Sequence, residues 1–169
     1  MIVRDIREDE AVELGRLMVD VYSALEGFPN PSEQPQYYEL LENVATMAER
    51  PDTRVLVAVT DDGLLAGGVV YFADMSQYGS GGSATSVTNA SGLRLLAVSP
   101  AFRGQGVGRR LTEACIALGR EQRHAEVILH TTASMEPAWK MYERMGFRRS
   151  EDLDFHQGEL PVFGFRLAL

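Results

Sequence analysis

The sequence is short of several chemically telling residues. Cys115 is its only cysteine and Trp139 its only tryptophan among 169 residues. A single cysteine excludes an internal disulfide and makes a reducing, intracellular setting the default expectation. The three histidines, His124, His130 and His156, lack metal-ligand spacing with one another or with Cys115, so no metal is expected. No apolar run approaches the length that crosses a bilayer. The opening stretch from Met1 to Arg7 lacks the basic-then-apolar layout of a secretory signal. These absences point to a cytoplasmic location away from membranes. Internal repeats and long linkers are missing too, and the length suits one domain over 1–169 with a sizeable core. Lysine occurs once, at Lys140, against 15 arginines, a bias read here as background composition.

Net charge is −8 and unevenly spread. Through residue 90 there are 15 acidic and 5 basic side chains; from residue 91 onward there are 9 and 11. Two readings fit. The later half binds an anion while the earlier half lines the route of a cationic partner, or the acidic helices merely face solvent. Nucleic acid is not an expected partner, because phosphate-backbone binding needs a larger basic face.

Periodicity outlines the elements. Ile2 to Ile6 suits a short strand, and Glu8 to Ala24 a helix with Val12, Leu14, Leu17, Met18 and Val21 near one face. The Pro-containing stretch from Glu26 breaks that helix, and a second is predicted from about Gln36 to Glu49. Thr53–Thr60 and Leu64–Phe72 form a hairpin about Asp61-Asp62-Gly63. Asp74 to Gly92 reads as a loop or as a frayed extension of the flanking strands. Leu93 to Val98 is almost wholly apolar, like a strand covered on both faces, and Pro100 ends it. A helix from Gly106 to Gln122 follows, with Cys115 on its buried stripe and therefore core rather than nucleophile. Val127–Thr131 is a strand, Pro137–Met145 a helix ended by Gly146, and Phe147–Ser150 and Val162–Leu167 are the last strands. The order βααβββαβαββ describes a mixed α/β fold of the α+β kind: a mixed sheet of about six to seven strands with helices on both faces.

The most informative stretch is Leu95-Leu-Ala-Val-Ser-Pro-Ala-Phe-Arg-Gly-Gln-Gly-Val-Gly-Arg-Arg-Leu. A buried strand runs into a loop with Gly104, Gly106 and Gly108 at alternate positions, and the loop opens a helix. Such glycines let backbone N–H groups approach an anion, and the helix start adds free donors and partial positive charge. A pyrophosphate is the natural occupant. Arg103, Arg109 and Arg110 add charge at the rim. The Walker loop is excluded because Arg109-Arg110 follows Gly108 where Lys then Ser or Thr is required. The dinucleotide fingerprint is excluded because Arg109 stands at its third glycine.

Arg103-Gly-Gln-Gly-Val-Gly resembles the Q/R-x-x-G-x-G/A signature of the GNAT superfamily of N-acetyltransferases. About 40 residues on, Ala138-Trp-Lys-Met-Tyr-Glu-Arg-Met-Gly-Phe147 looks like that family's A-x-x-x-Y-E-x-x-G-F segment. Spacing and element order agree from about Leu93 to Phe147, the cofactor-binding core. The resemblance implies acetyl-CoA as co-substrate and direct attack by a primary amine within a ternary complex. It implies that the strand ending at Val98 splays from the next, and that backbone groups of Leu96, Ala97 and Val98 pair with the pantetheine arm. Arg103, Gly104, Gln105, Gly106, Val107, Gly108 and Arg109 would then hold the pyrophosphate. Tyr142, on residue chemistry alone a packing tyrosine, becomes the general acid for the departing thiolate.

The general base is not legible. Gly92 stands near the place where some relatives carry a carboxylate, and Glu26, Glu33, Asp74 and His156 merely border the loops. Met135 replaces an asparagine common at its helix start, with Ser134 as a substitute cap. By the same resemblance the acceptor pocket comes from Glu26–Gln36, Asp74–Gly92 and Asp152–Pro161, whose acidic residues favour a cationic amine on a small molecule or peptide. A homodimer is compatible with the family. Two rivals remain: a non-catalytic acyl-CoA sensor of the same fold, and a nucleotide-binding regulator.

Overall fold

The computed structural model describes residues 1–169. Strand β1 (Ile2–Asp5) passes through a 3-10 turn at Glu8–Glu10 into helix α1 (Ala11–Ser23). Leu14, Met18 and Tyr22 recur every fourth residue and are buried, so they form the inner stripe of α1. Val12, expected on that stripe, is 73% exposed. It sits two residues from Leu14, which is nearly the opposite side of a 3.6-residue turn.

Pro35 opens α2 (Pro35–Glu42), where its missing N–H costs nothing. The helix expected to reach Glu49 instead tightens at Asn43 into 3-10 turns over Val44–Glu49. Leu41, Val44 and Met47 are buried at three-residue intervals, a spacing that suits three residues per turn better than 3.6.

Strands β2 (Thr53–Val59) and β3 (Leu65–Phe72) form the expected hairpin, and β4 runs over Ala90–Val98. Helix α3 (Val107–Glu121), strand β5 (Glu126–Thr131) and helix α4 (Glu136–Arg144) follow. The chain closes with β6 (Arg148–Arg149), β7 (Phe155–Gln157) and β8 (Leu160–Ala168). Strand β7 was not expected; at three residues it is too short to carry a periodicity. It pairs with the start of β8 and raises the sheet from the predicted six or seven strands to eight.

The sheet order is β1-β2-β3-β4-β5-β8-β6. Neighbours are antiparallel except β4 and β5, which are parallel and joined through α3. Alternate residues of β2 supply two cores. Val55, Val57 and Val59 join α1 and α2 on one face, while Leu56 and Ala58 join α3 on the other. Both faces are covered, which is why β2 to β4 read as nearly unbroken apolar runs.

Candidate active site

The loop before α3 is built around unpartnered donors. Gly104 and Gly106 adopt φ of +75° and +78°, a left-handed conformation that costs an L side chain about 1–2 kcal/mol. A Cβ at either position would meet nothing within 4 Å, so backbone geometry rather than crowding demands glycine there. The backbone N–H groups of residues 104–109 bond to no other protein group, and the α3 N-cap has no side-chain cap; the first amide to close a turn is Arg110, on Gly106 O at 3.0 Å. Six free donors at a helix start are the arrangement that an anion cradle requires.

Of the three arginines expected at the rim, Arg103 is exposed and ion-pairs with no carboxylate. Arg109 is shared with Glu113 at 2.7 Å. Arg110 turns away to donate to the Met1 carbonyl oxygen at 2.6 Å and does not add to the cradle.

Strand β4 carries the second element of the site. It pairs with β5 only over Ala90–Gly92 against Glu126–Ile128, and beyond Gly92 the two strands part. Within the parted stretch Leu95 has φ +59°, and the register with β3 shifts between Gly68 and Val70. This is a β-bulge. One consequence is that Leu95 and Ala97 pack in the α1–α2 core, whereas Leu96 and Val98 pack with the α3–α4 core. Without the extra residue these assignments would be reversed.

Ser99 donates to Ala66 O in β3, so by strand alternation the polar groups of Val98 and Leu96 point into the open gap. Leu96 O does so visibly, accepting from the Tyr22 hydroxyl at 3.0 Å. Ala97, paired with Gly68, points its amide and carbonyl back at β3. Of the three residues expected to offer backbone groups to a ligand, the gap therefore receives those of Leu96 and Val98.

Tyr142 of α4 belongs to the core against which Leu96 and Val98 pack. It is 4% exposed and meets Phe147 edge-on at 5.7 Å. Tyr22, Tyr38, Tyr71 and Tyr78 all have hydroxyl partners; the hydroxyls of Tyr37 and Tyr142 have none in the protein, yet neither is sealed from solvent. Burial, reinforced by nearby Cys115 and Tyr78, pushes the Tyr142 phenol well above the usual tyrosine range, so it holds its proton at neutral pH. Met141, Val98 and Leu96 converge on Gly108 and pack in the same core as Tyr142.

A pocket of about 80 Å³ opens on the other face, where Arg94 and Leu95 of β4 stand across from His130 and Thr131 of β5. Tyr22, Phe28 and Tyr37 wall it, with ring centroids 5.6–6.1 Å apart. His130 Nε2 lies 2.8 Å from Leu153 O and Nδ1 lies 2.9 Å from the Tyr78 hydroxyl. A carbonyl only accepts, so Nε2 carries the proton and Nδ1 accepts from Tyr78. Burial lowers the affinity of His130 for a second proton.

The acidic loops do supply part of this pocket, through Phe28, Ser80, Phe155 and Gln157, but none of their carboxylates lines it. Glu26, Glu33 and His156 are exposed, and Asp74 caps a 3-10 turn by accepting from Ser76 N. The lining's one formal charge is Arg94, opposite in sign to what a cationic acceptor needs. Gly92 is pressed beneath Met75 and Tyr78, which a Cβ would meet at 2.7 Å. Ser134 bonds to Thr132 rather than capping α4. Trp139 stacks edge-on against Phe163 and Phe165 and is core packing.

Sequence reasoning overlooked Tyr22, Arg94 and His130. A lone arginine inside an otherwise apolar strand was the available signal for Arg94.

The model of the acetyltransferase (GNAT) family matches residues 18–147. The N-alpha-acetyltransferase 30 of Schizosaccharomyces pombe is 34% identical over 61 residues, 36% of this chain and 41% of that protein. The chain thus spans less than half the length of that curated relative. Among solved structures, a GNAT-family acetyltransferase from Staphylococcus aureus superposes with a TM-score of 0.72 at 17% identity, over 99% of this chain and 98% of that one. An aminoglycoside 6'-N-acetyltransferase complexed with coenzyme A superposes with a TM-score of 0.67 at 15% identity, over 99% and 97%. These two likenesses are of fold.

Proposed function

The chain belongs to the acetyltransferase (GNAT) family, and from that membership we propose that it transfers an acetyl group from acetyl-CoA to a primary amine. The observation that carries the reading is the row of six unpartnered amides at residues 104–109 beside the parted strands β4 and β5. A diphosphate fits that row, since both positive-φ glycines leave the space above them open.

In this reading acetyl-CoA supplies a thioester whose C–S bond breaks as the acceptor nitrogen bonds to the carbonyl carbon. Residues Arg103, Gly104, Gln105, Gly106, Val107, Gly108 and Arg109 hold the diphosphate through the free amides and the Arg103 charge. Leu96 and Val98 border the slot for the arm, and the Val98 amide steadies the thioester oxygen as it gains charge. One donor so aimed lowers the barrier by about 3 kcal/mol. Tyr142 gives its proton to the departing sulfur; burial keeps that proton in place beforehand. The acceptor's own proton leaves to water, because the pocket lining has no carboxylate and both His130 nitrogens are engaged.

Calorimetry with CoA, followed by a thiol-release assay with acetyl-CoA and a panel of amines, tests the reading. Saturable CoA uptake with amine-dependent thiol release is expected. Absence of CoA uptake would overturn the proposal. Tight uptake without turnover of any amine would reduce it to acyl-CoA binding.

A further inference from the structure

We propose that the acceptor is an amino acid, carrying a carboxylate beside its amine, and that Arg94 binds this carboxylate in the pocket on the α1–α2 face. The proposal rests on the acetyl-transfer reading above and narrows its substrate.

Arg94 is unlike the other shielded arginines of the protein. Arg4 pairs with Glu10 at 2.8 Å, Arg149 with Asp154 at 2.8 Å, and Arg166 with Asp152 at 2.7 Å and Glu126 at 3.1 Å. Each of those guanidiniums has a carboxylate in contact, as expected of a charge partly removed from water. Arg94 is half-buried and takes part in no ion pair; its only protein acceptor is the Tyr78 carbonyl oxygen, met by Nη1 at 2.8 Å. A guanidinium offers five N–H donors in a planar fork. Its remaining nitrogens have no protein partner and are not sealed off.

The surroundings hold the guanidinium in place without neutralising it. Its carbon lies 5.7 Å from the centroid of the Tyr78 ring, and Gly79 approaches from the adjoining loop. Its positive charge is felt at the pocket residues Tyr22, Tyr37 and His130, and at Tyr78 beside them. No Asp or Glu lines the pocket. A ligand bearing only an ammonium would bring a second positive charge to a site with no counter-charge. A carboxylate matches the guanidinium fork and completes the missing pair.

The pocket's size selects further. About 80 Å³ is small beside the ~300–1,000 Å³ of ordinary ligand sites, so it takes the amine–carboxylate head of a small molecule. Tyr22, Phe28 and Tyr37 offer apolar surface to a hydrocarbon side chain. A peptide N-terminus has an amide where Arg94 asks for an anion. The reaction balances as before: the amino acid nitrogen gains the acetyl group, the sulfur gains a proton, and an N-acetylamino acid leaves with CoA.

The test uses the wild-type protein with saturating acetyl-CoA and matched sets: apolar α-amino acids, their carboxamides, the decarboxylated amines and the 1-aminoalkylphosphonates. A charge-assisted pair predicts kcat/KM about 10- to 100-fold higher for the acids than for the carboxamides. Arg94→Gln should shrink that ratio to within about threefold while CoA affinity, read by calorimetry, stays within twofold. Should Arg94→Gln fold poorly, the wild-type ratio alone decides. Carboxamides or plain amines turned over as fast as the acids would overturn the inference and leave acetyl transfer standing. A tenfold preference for phosphonates would overturn the carboxylate assignment. Loss of CoA binding in the wild type would bring down the acetyl-transfer reading, and this inference with it.

Discussion

The Tyr22 hydroxyl donates to the Leu96 carbonyl oxygen at 3.0 Å, tying the end of α1 to the strand residue just past the left-handed Leu95. That oxygen faces the gap between β4 and β5, so the bond fixes the bulge where the acyl donor and acceptor would meet. Tyr22 is also one wall of the Arg94 pocket. A single side chain therefore shapes both sides of the candidate reaction centre.

Tyr22→Phe removes this bond and leaves a part-buried carbonyl without its protein partner. A loss of about 1 kcal/mol is expected, seen as a fall of roughly 2–4 °C in Tm. Acceptor KM should rise more than CoA affinity changes. An unaltered Tm together with an unaltered KM would mean that the bond holds nothing.

Tyr142→Phe keeps the ring against Phe147 but removes the phenolic proton. Turnover should fall more than tenfold with acetyl-CoA affinity near normal, since the hydroxyl contributes only as sulfur departs. A turnover number equal to that of the wild type would remove Tyr142 from the mechanism.

Gly106→Ala adds a methyl group that meets nothing within 4 Å but must be held at φ +78°. The loop relieves that strain, about 1–2 kcal/mol, by moving the amides it displays. CoA affinity by calorimetry should drop about tenfold with little change in Tm. Undiminished affinity would place the diphosphate somewhere other than this cradle.

Asp154 gives the fold an acid-sensitive contact. Burial raises its carboxyl pKa, but two N–H groups of Arg149 at 2.8–2.9 Å and the Gly164 amide outweigh that and lower it overall. A folded pKa below the unfolded value means the contact stabilises fully above the unfolded carboxyl range. The contribution is lost as pH falls through the lowered folded value, below about pH 4. Asp154→Asn should flatten this part of the urea-stability profile between pH 5 and 2. An unchanged slope in the variant would exclude Asp154 as a contributor.

What the sequence by itself determined is what contiguous residues encode. The glycines and arginines from Arg103 to Arg109 lie in one short segment, so their strand–loop–helix context and the row of free amides follow from local backbone requirements. The helical stripe of α3 and the apolar runs of β2 to β4 are local in the same sense. Tertiary structure alone decided the Leu95 bulge, which exists only relative to β3, and with it which side chains of β4 face which core. It alone turned Arg110 towards Met1 and brought Tyr22, Arg94 and His130 around one pocket, although they come from α1, β4 and β5. The sign of that pocket's charge was settled there too. Acidity along the loops describes composition, whereas a ligand meets only the side chains that folding turns inward, and those include one guanidinium and no carboxylate.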